Sequence, residues 1–190
     1  MKKTDSIFKM QSLGLNTLDC FITKDFSVAK TYLRAMGCTL MSMRTERGYE
    51  FLCPFYYMQT AQNLIDVAKQ CINAGYTVMI YPGLPKDNIC FGTVALPKDG
   101  TIVVEWVEGA GLLRELDTHP RKKHMLFLPG TMQFLTPMMT PCYREINEVI
   151  LEVREKCYDE PPCIIEWSYF HRKVGMLNKN QIFWEIRSYE

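Results

Sequence analysis

The last quarter of the chain constrains the fold most. Residues 163–187 read CIIEWSYFHRKVGMLNKNQIFWEIR. Two apolar runs, Cys163–Ile165 and Ile182–Trp184, each stop at a glutamate, Glu166 and Glu185. Gly175 and the turn-forming Asn178-Lys179-Asn180 lie between them, so the stretch predicts strand, connection and strand, a hairpin. An ionised carboxylate among buried strand residues is costly unless it has a partner. Two partners are open: a divalent cation, or an arginine, with Arg172 and Arg187 in the same stretch.

The preceding chain alternates short helices with strands. Ile7, Met10 and Leu13 line a first helix that stops at Gly14. A strand is expected over 18–23, then a helix to Met36 capped by Asp25 or Ser27, then a strand over 39–43 that ends on Arg44. Residues 49–58 are aromatic and broken by Pro54, which suits an irregular segment or an edge strand. Thr60 caps a helix over 61–74, where Leu64, Ala68, Cys71 and Ile72 form one stripe. A strand over 76–81 runs into a Pro/Gly-rich loop, 82–88. Strands over 89–96 and 101–107 are joined by Asp99-Gly100, a hairpin-turn step. A short strand is expected over 125–128. Thr140 as cap and Pro141 at the first position begin a helix that runs to Cys157. Adjacent strands between helices favour α+β with antiparallel sheets over a doubly wound parallel sheet.

Composition excludes several classes. The 22 basic and 21 acidic side chains give a net charge of +1, so nothing global draws the chain to nucleic acid or membrane. The one basic run, Arg121-Lys122-Lys123-His124, suits a solvated loop. No run approaches a membrane span, and the start MKKTDSIFKM has no signal-like apolar core. The eight cysteines form no CxxC pair, which reads as buried thiols rather than zinc ligands, and the expected compartment is the cytoplasm. His119, His124 and His171 are scattered and form no catalytic arrangement.

The order of elements resembles the ATP-grasp fold. The resemblance rests on Leu13-Gly14-Leu15-Asn16-Thr17 with the strand–helix–Gly37–strand unit behind it, on Arg44, on the helix and strand before Pro82, and on the closing hairpin with Glu166 and Glu185. It implies an α+β chain of two subdomains, residues 1–75 and 76–190, with mainly antiparallel sheets. It implies ATP and Mg2+ as cofactors: Arg44 and Arg114 on phosphate, Met79, Ile80 and Tyr81 as the adenine hinge, and Glu166 and Glu185 on the metal. Pro82 has no N–H, which leaves Tyr81 as the hinge donor. The implied chemistry is ATP-dependent ligation through an activated carboxylate, with Arg44 as the catalytic cation and an unspecified carboxylate substrate; a partner protein takes that place if the chain is not catalytic. Three features depart from the pattern. The phosphate loop Arg47-Gly48-Tyr49-Glu50 has one glycine, Arg187 stands where the family has a metal-ligating Asn, and no amino-terminal domain precedes the unit. They favour the alternative, a non-catalytic interaction or scaffold module that keeps the fold.

Overall fold

The computed structural model describes residues 1–37, 39–49, 53–83, 87–109, 111, 116 and 141–188, and the backbone of 123–127. Arg114, Lys86, His119 and Thr140 lie outside the described residues. The chain is α+β and divides into two compact units. One comprises Lys2–Asp5 and Leu18–Pro85; the other comprises Met1, Ser6–Thr17 and Lys86–Glu190. Among the described residues, no helix is long and apolar enough to cross a membrane.

The first unit is a four-stranded antiparallel sheet with two helices on one face. Strands β1 (Phe21–Thr23), β2 (Met41–Glu46), β3 (Phe55–Gln59) and β4 (Thr77–Pro82) lie in the order β1-β4-β2-β3. The expectation of an edge strand after Pro54 is met by β3. The sequence reading assigned strand 76–81 to the second subdomain; its pairing with β1 and β2 makes it a central strand of this sheet instead. Helices α2 (Phe26–Ala35) and α3 (Ala61–Asn73) bury Ala29, Leu33, Leu64 and Ala68 against Met41, Met43, Val78 and Ile80.

Both helices start where their cap residues dictate. Thr60 Oγ1 accepts from the Asn63 N–H at 3.3 Å. Asp25 Oδ1 accepts from the backbone of Ser27 at 2.7 Å and of Val28 at 3.1 Å. The Ser27 hydroxyl, the Val28 N–H and the Ser27 N–H hold the Asp25 carboxyl below the ordinary aspartate pKa. A pKa lowered on folding gives stabilisation that is complete above the unfolded value and lost as pH falls through the folded value. Asp25→Ala is therefore expected to lower the melting temperature at neutral pH, with the two melting curves converging in acid. A gap that stays constant with pH would contradict the cap.

The second unit is a five-stranded antiparallel sheet. Strands β5 (Asn88–Leu96), β6 (Ile102–Glu108), β7 (Lys123–Phe127), β8 (Cys163–Val174) and β9 (Lys179–Ser188) lie in the order β7-β6-β5-β8-β9. Helices α1 (Lys3–Ser12) and α4 (Tyr143–Lys156) contribute Met10, Ile146, Val149, Ile150 and Val153 to a core that includes Cys90, Val94, Val104, Trp106, Ile165, Trp167 and Phe183. Helix α4 starts at Tyr143 and its cap position is Cys142, which makes no side-chain cap bond. Asp99 Oδ1 accepts from the N–H of Thr101 at 2.9 Å and from its hydroxyl at 2.7 Å, which fixes the β5–β6 turn. Cys90, Cys142, Cys157 and Cys163 are buried reduced thiols. Burial pushes Cys157 up to about 12 and Cys163 up to about 11, so they are inert packing groups.

The β8–β9 connection is built on Asn16, which is fully buried. Its Nδ2 donates to the carbonyls of Val174 at 2.9 Å and Gln181 at 2.7 Å. Its Oδ1 accepts from the Leu177 N–H at 2.8 Å, and its own carbonyl accepts from Phe183 at 2.9 Å. Gly175 turns the chain here at a φ of +74, and a Cβ on it would meet Asn16 Oδ1 at 2.7 Å. The segment singled out in the sequence as Leu13–Thr17 thus has a local job: it clamps the hairpin that carries Glu166 and Glu185.

Candidate functional site

Alternation along each strand sends successive side chains to opposite faces. In the first unit, Met41, Met43, Val78 and Ile80 face the helices, so Ser42, Arg44, Met79 and Tyr81 share the other face. Cys20 and Tyr57 lie close to this group. Burial pushes the Cys20 thiol up to about 12, with the Arg44 guanidinium pulling it down and Asp19 pushing it up. Burial also raises the Tyr81 phenol, against the same Arg44 charge and with Cys20 and Tyr57 adding to the rise. Burial disfavours the charged forms of the Cys20 thiol and the Tyr81 phenol beside this guanidinium, and a guanidinium fork suits phosphate oxygens.

Of the three hinge residues expected from sequence, Met79 and Tyr81 are on the face with Arg44, while the Ile80 side chain packs into the helix-side core. The hinge donor is also corrected. The Gly83 N–H donates to the Leu40 carbonyl at 3.0 Å, in the register that pairs Tyr81 with Ser42 and Met79 with Arg44. Hydrogen-bonded pairs recur at every second residue of an antiparallel ladder. The Tyr81 N–H is therefore directed to Ser42, and Ile80 points to Phe21 on β1. Pro82 comes after the last residue paired with β1, so its carbonyl is the first β4 group that the ladder does not commit. A cleft of about 350 Å³ in this unit, lined by Lys2, Lys24, Glu46 and Thr77 among others, does not involve these residues. Thr77 is four residues from Tyr81 along β4, about 13 Å away, which places the cleft at the other end of the strand.

In the second unit, Ile165, Trp167, Val94, Val104 and Trp106 face the helices. The opposite face carries a row of paired residues across four strands. Glu105 on β6 pairs with Thr93 on β5, Thr93 with Glu166 on β8, and Glu166 with Glu185 on β9. A register shift between Glu166 and Trp167 leaves Trp184 as an extra residue on β9, and its indole Nε1 donates to Ser168 Oγ at 2.9 Å on the same face.

Glu166 and Glu185 are thus directly opposite, and neighbouring strands are about 5 Å apart. Like charges in that position repel, so the pair calls for a cation. The two arginines left open by the sequence are now separated. Arg172 Nε sits 3.9 Å from Asp87 Oδ2, whereas Arg187 Nη2 sits 3.8 Å from Glu166 Oε1. Glu105 shares the face two strands from Glu166, about 10 Å away along the sheet. Among the described residues, no group of three or more His, Cys, Asp or Glu is placed to hold a metal. Magnesium commonly takes only one or two protein carboxylates and fills its octahedron with phosphate oxygens and water. The two-carboxylate set fits that habit, and fits no metal that needs a complete protein cage.

Sequence reasoning names Arg44, Met79, Ile80, Tyr81, Arg114, Glu166 and Glu185. It missed Cys20 and Tyr57, which no motif marks, and Thr93, whose place in the carboxylate row depends on register.

The sequence matches no protein-family model and no curated protein. Solved structures do match. D-alanine-D-alanine ligase from Helicobacter pylori is 12% identical with a TM-score of 0.55, over 98% of this chain and 53% of that one. A Chryseobacterium gregarium RiPP-associated ATP-grasp ligase, in complex with ADP and a leader and core peptide, is 10% identical with a TM-score of 0.51, over 97% and 50%. The chain has the ATP-grasp fold. The macrocyclase MdnC from Microcystis aeruginosa, bound with precursor peptide MdnA, is 12% identical with a TM-score of 0.51, over 97% and 51%. The chain therefore spans about half the length of these solved structures.

Proposed function

We propose that this chain binds ATP with magnesium and uses it as ATP-grasp ligases do, to activate a carboxylate for attack by a nucleophile. The observation that supports the reading is the in-register Glu166–Glu185 pair, on the face of the β8–β9 hairpin opposite to α1 and α4. Glu166 and Glu185 would hold the magnesium, whose charge offsets that of the phosphates. Arg44 would contact phosphate, since a guanidinium fork matches phosphate oxygens. Met79 and Tyr81 would line the base, with the Pro82 carbonyl as the backbone acceptor. Arg114 is kept as a second phosphate contact on the strength of the resemblance. The second substrate is a carboxylate, free or on a peptide, by analogy with the peptide-bound neighbours. The chain's own contribution is positioning and charge neutralisation, the main terms in phosphoryl transfer.

Calorimetry with ATP and Mg2+ tests this. Native protein is expected to give binding heat. Arg44→Ala is expected to weaken binding by about 10- to 100-fold, the range for losing a charge-assisted hydrogen bond. Glu185→Gln is expected to remove the magnesium dependence. The Arg187–Glu166 ion pair also suits the rival reading, a non-catalytic interaction module, for which native protein would give no heat at all.

A further inference from the structure

The carboxylate pair has a cation beside it before any metal arrives. Arg187 follows Glu185 by two residues on β9, and its Nη2 lies 3.8 Å from Glu166 Oε1. That distance makes an ion pair but not a hydrogen bond. Arg187 Nε is buried and has no hydrogen-bond partner among the described residues. The guanidinium is therefore held to Glu166 by charge, without the bidentate fork that makes arginine–carboxylate pairs strong. It keeps donor capacity that phosphate oxygens suit better than a single carboxylate oxygen at ion-pair range. A free divalent cation approaching the pair meets a like charge there, and among the described residues no third carboxylate completes a metal-holding group to offset the loss of its water.

We propose that Arg187 is the resident counter-ion of the Glu166–Glu185 pair, displaced by a divalent cation only when that cation arrives with an anionic phosphate that takes over the guanidinium. The inference rests on reading these two glutamates as the metal-binding pair. Its consequence is an order of events: the protein does not collect free metal, and the metal enters as its nucleotide complex. Where the family has a neutral Asn that adds a ligand, this chain has a charge that excludes metal until the phosphate is present.

The test uses Mn2+ alone, without nucleotide, followed by the paramagnetic resonance signal of the hydrated ion. Native protein is expected to leave that signal intact. Arg187→Asn is expected to bind Mn2+ at least about tenfold more tightly, because a like charge at ion-pair distance has been removed. Arg187→Gln should behave the same way and guards against a folding defect in the first variant. Adding Glu185→Gln to Arg187→Asn should restore the native result, which assigns the ion to the pair. The proposal is overturned if native protein takes up Mn2+ as tightly as Arg187→Asn. It is equally overturned if both Arg187 variants, shown folded by circular dichroism, leave the ion in solution. Failure of the nucleotide reading would look different: no heat with ATP, whatever the Mn2+ titration shows.

Discussion

Gly92→Ala is expected to destabilise the protein by about 3 kcal/mol or more, the upper range for forcing atoms into a packed core. Gly92 sits mid-strand on β5, with Trp106 of β6 on one side and Trp167 of β8 on the other. Both indoles are buried on the helix side of the sheet, at 3% and 0% exposure, and a glycine between them leaves room for two rings in adjacent strands. A Cβ at Gly92 would lie 1.9 Å from the Glu105 carbonyl oxygen and 2.9 Å from the Trp106 Cα. These are backbone atoms of a paired strand, so relief requires β5 and β6 to separate. The loss is a large share of the roughly 5–15 kcal/mol that holds a domain folded. Gly48→Ala is the control: its φ is +58 and nothing among the described residues lies within 4 Å of the added Cβ, so the cost is backbone strain, about 1–2 kcal/mol. Thermal melts of the two variants decide the matter. If Gly92→Ala melts no lower than Gly48→Ala, the close strand approach does not limit the core.

Asn16→Leu is expected to cost about 3–5 kcal/mol, from backbone groups that lose a buried partner at roughly 1–3 kcal/mol each. Leucine matches the amide in shape but offers nothing to the carbonyls of Val174 and Gln181 or to the Leu177 N–H. Asn16→Asp is expected to fare no better, since a carboxylate would face two carbonyl oxygens where the native residue has donors. The damage should be local first. Hydrogen exchange should quicken at Leu177 and Phe183, which bond to Asn16, more than in the first unit's sheet. Because this connection joins β8 to β9, the proposed ATP and Mg2+ binding should weaken together with the exchange protection. Unchanged exchange at Leu177 would show that the clamp is not what holds the hairpin.

Local signals in the sequence were strong where one residue type does one job. Asp25 and Thr60 announced their helices because a side-chain acceptor is needed before the first turn, and both make that bond. Asp99-Gly100 announced the β5–β6 turn. The two apolar runs ending at Glu166 and Glu185, with Gly175 and Asn178-Lys179-Asn180 between them, announced the last hairpin and the two carboxylates on it. Arg44 was legible as the basic residue after an apolar run, but the strand does not end there: β2 continues to Glu46, paired with β4 throughout. Other features depend on which strand lies beside which. Strand 77–82 looks the same in either half of the chain, and only pairing with β1 and β2 placed it. The Tyr81 N–H looked available until the register gave it to Ser42. Arg172 and Arg187 were equivalent partners until one was found beside Asp87 and the other beside Glu166.

The sequence by itself determined the element types and the presence of two carboxylates on a closing hairpin. Periodicity, caps and turn residues act over a few positions and need no distant partner. Only the tertiary structure decided that Glu166 and Glu185 face each other, that Asn16 holds the turn between their strands, and that Arg187 lies beside Glu166. Each of these follows from a register, and a one-residue slip in any of them would turn the side chain to the other face of the sheet.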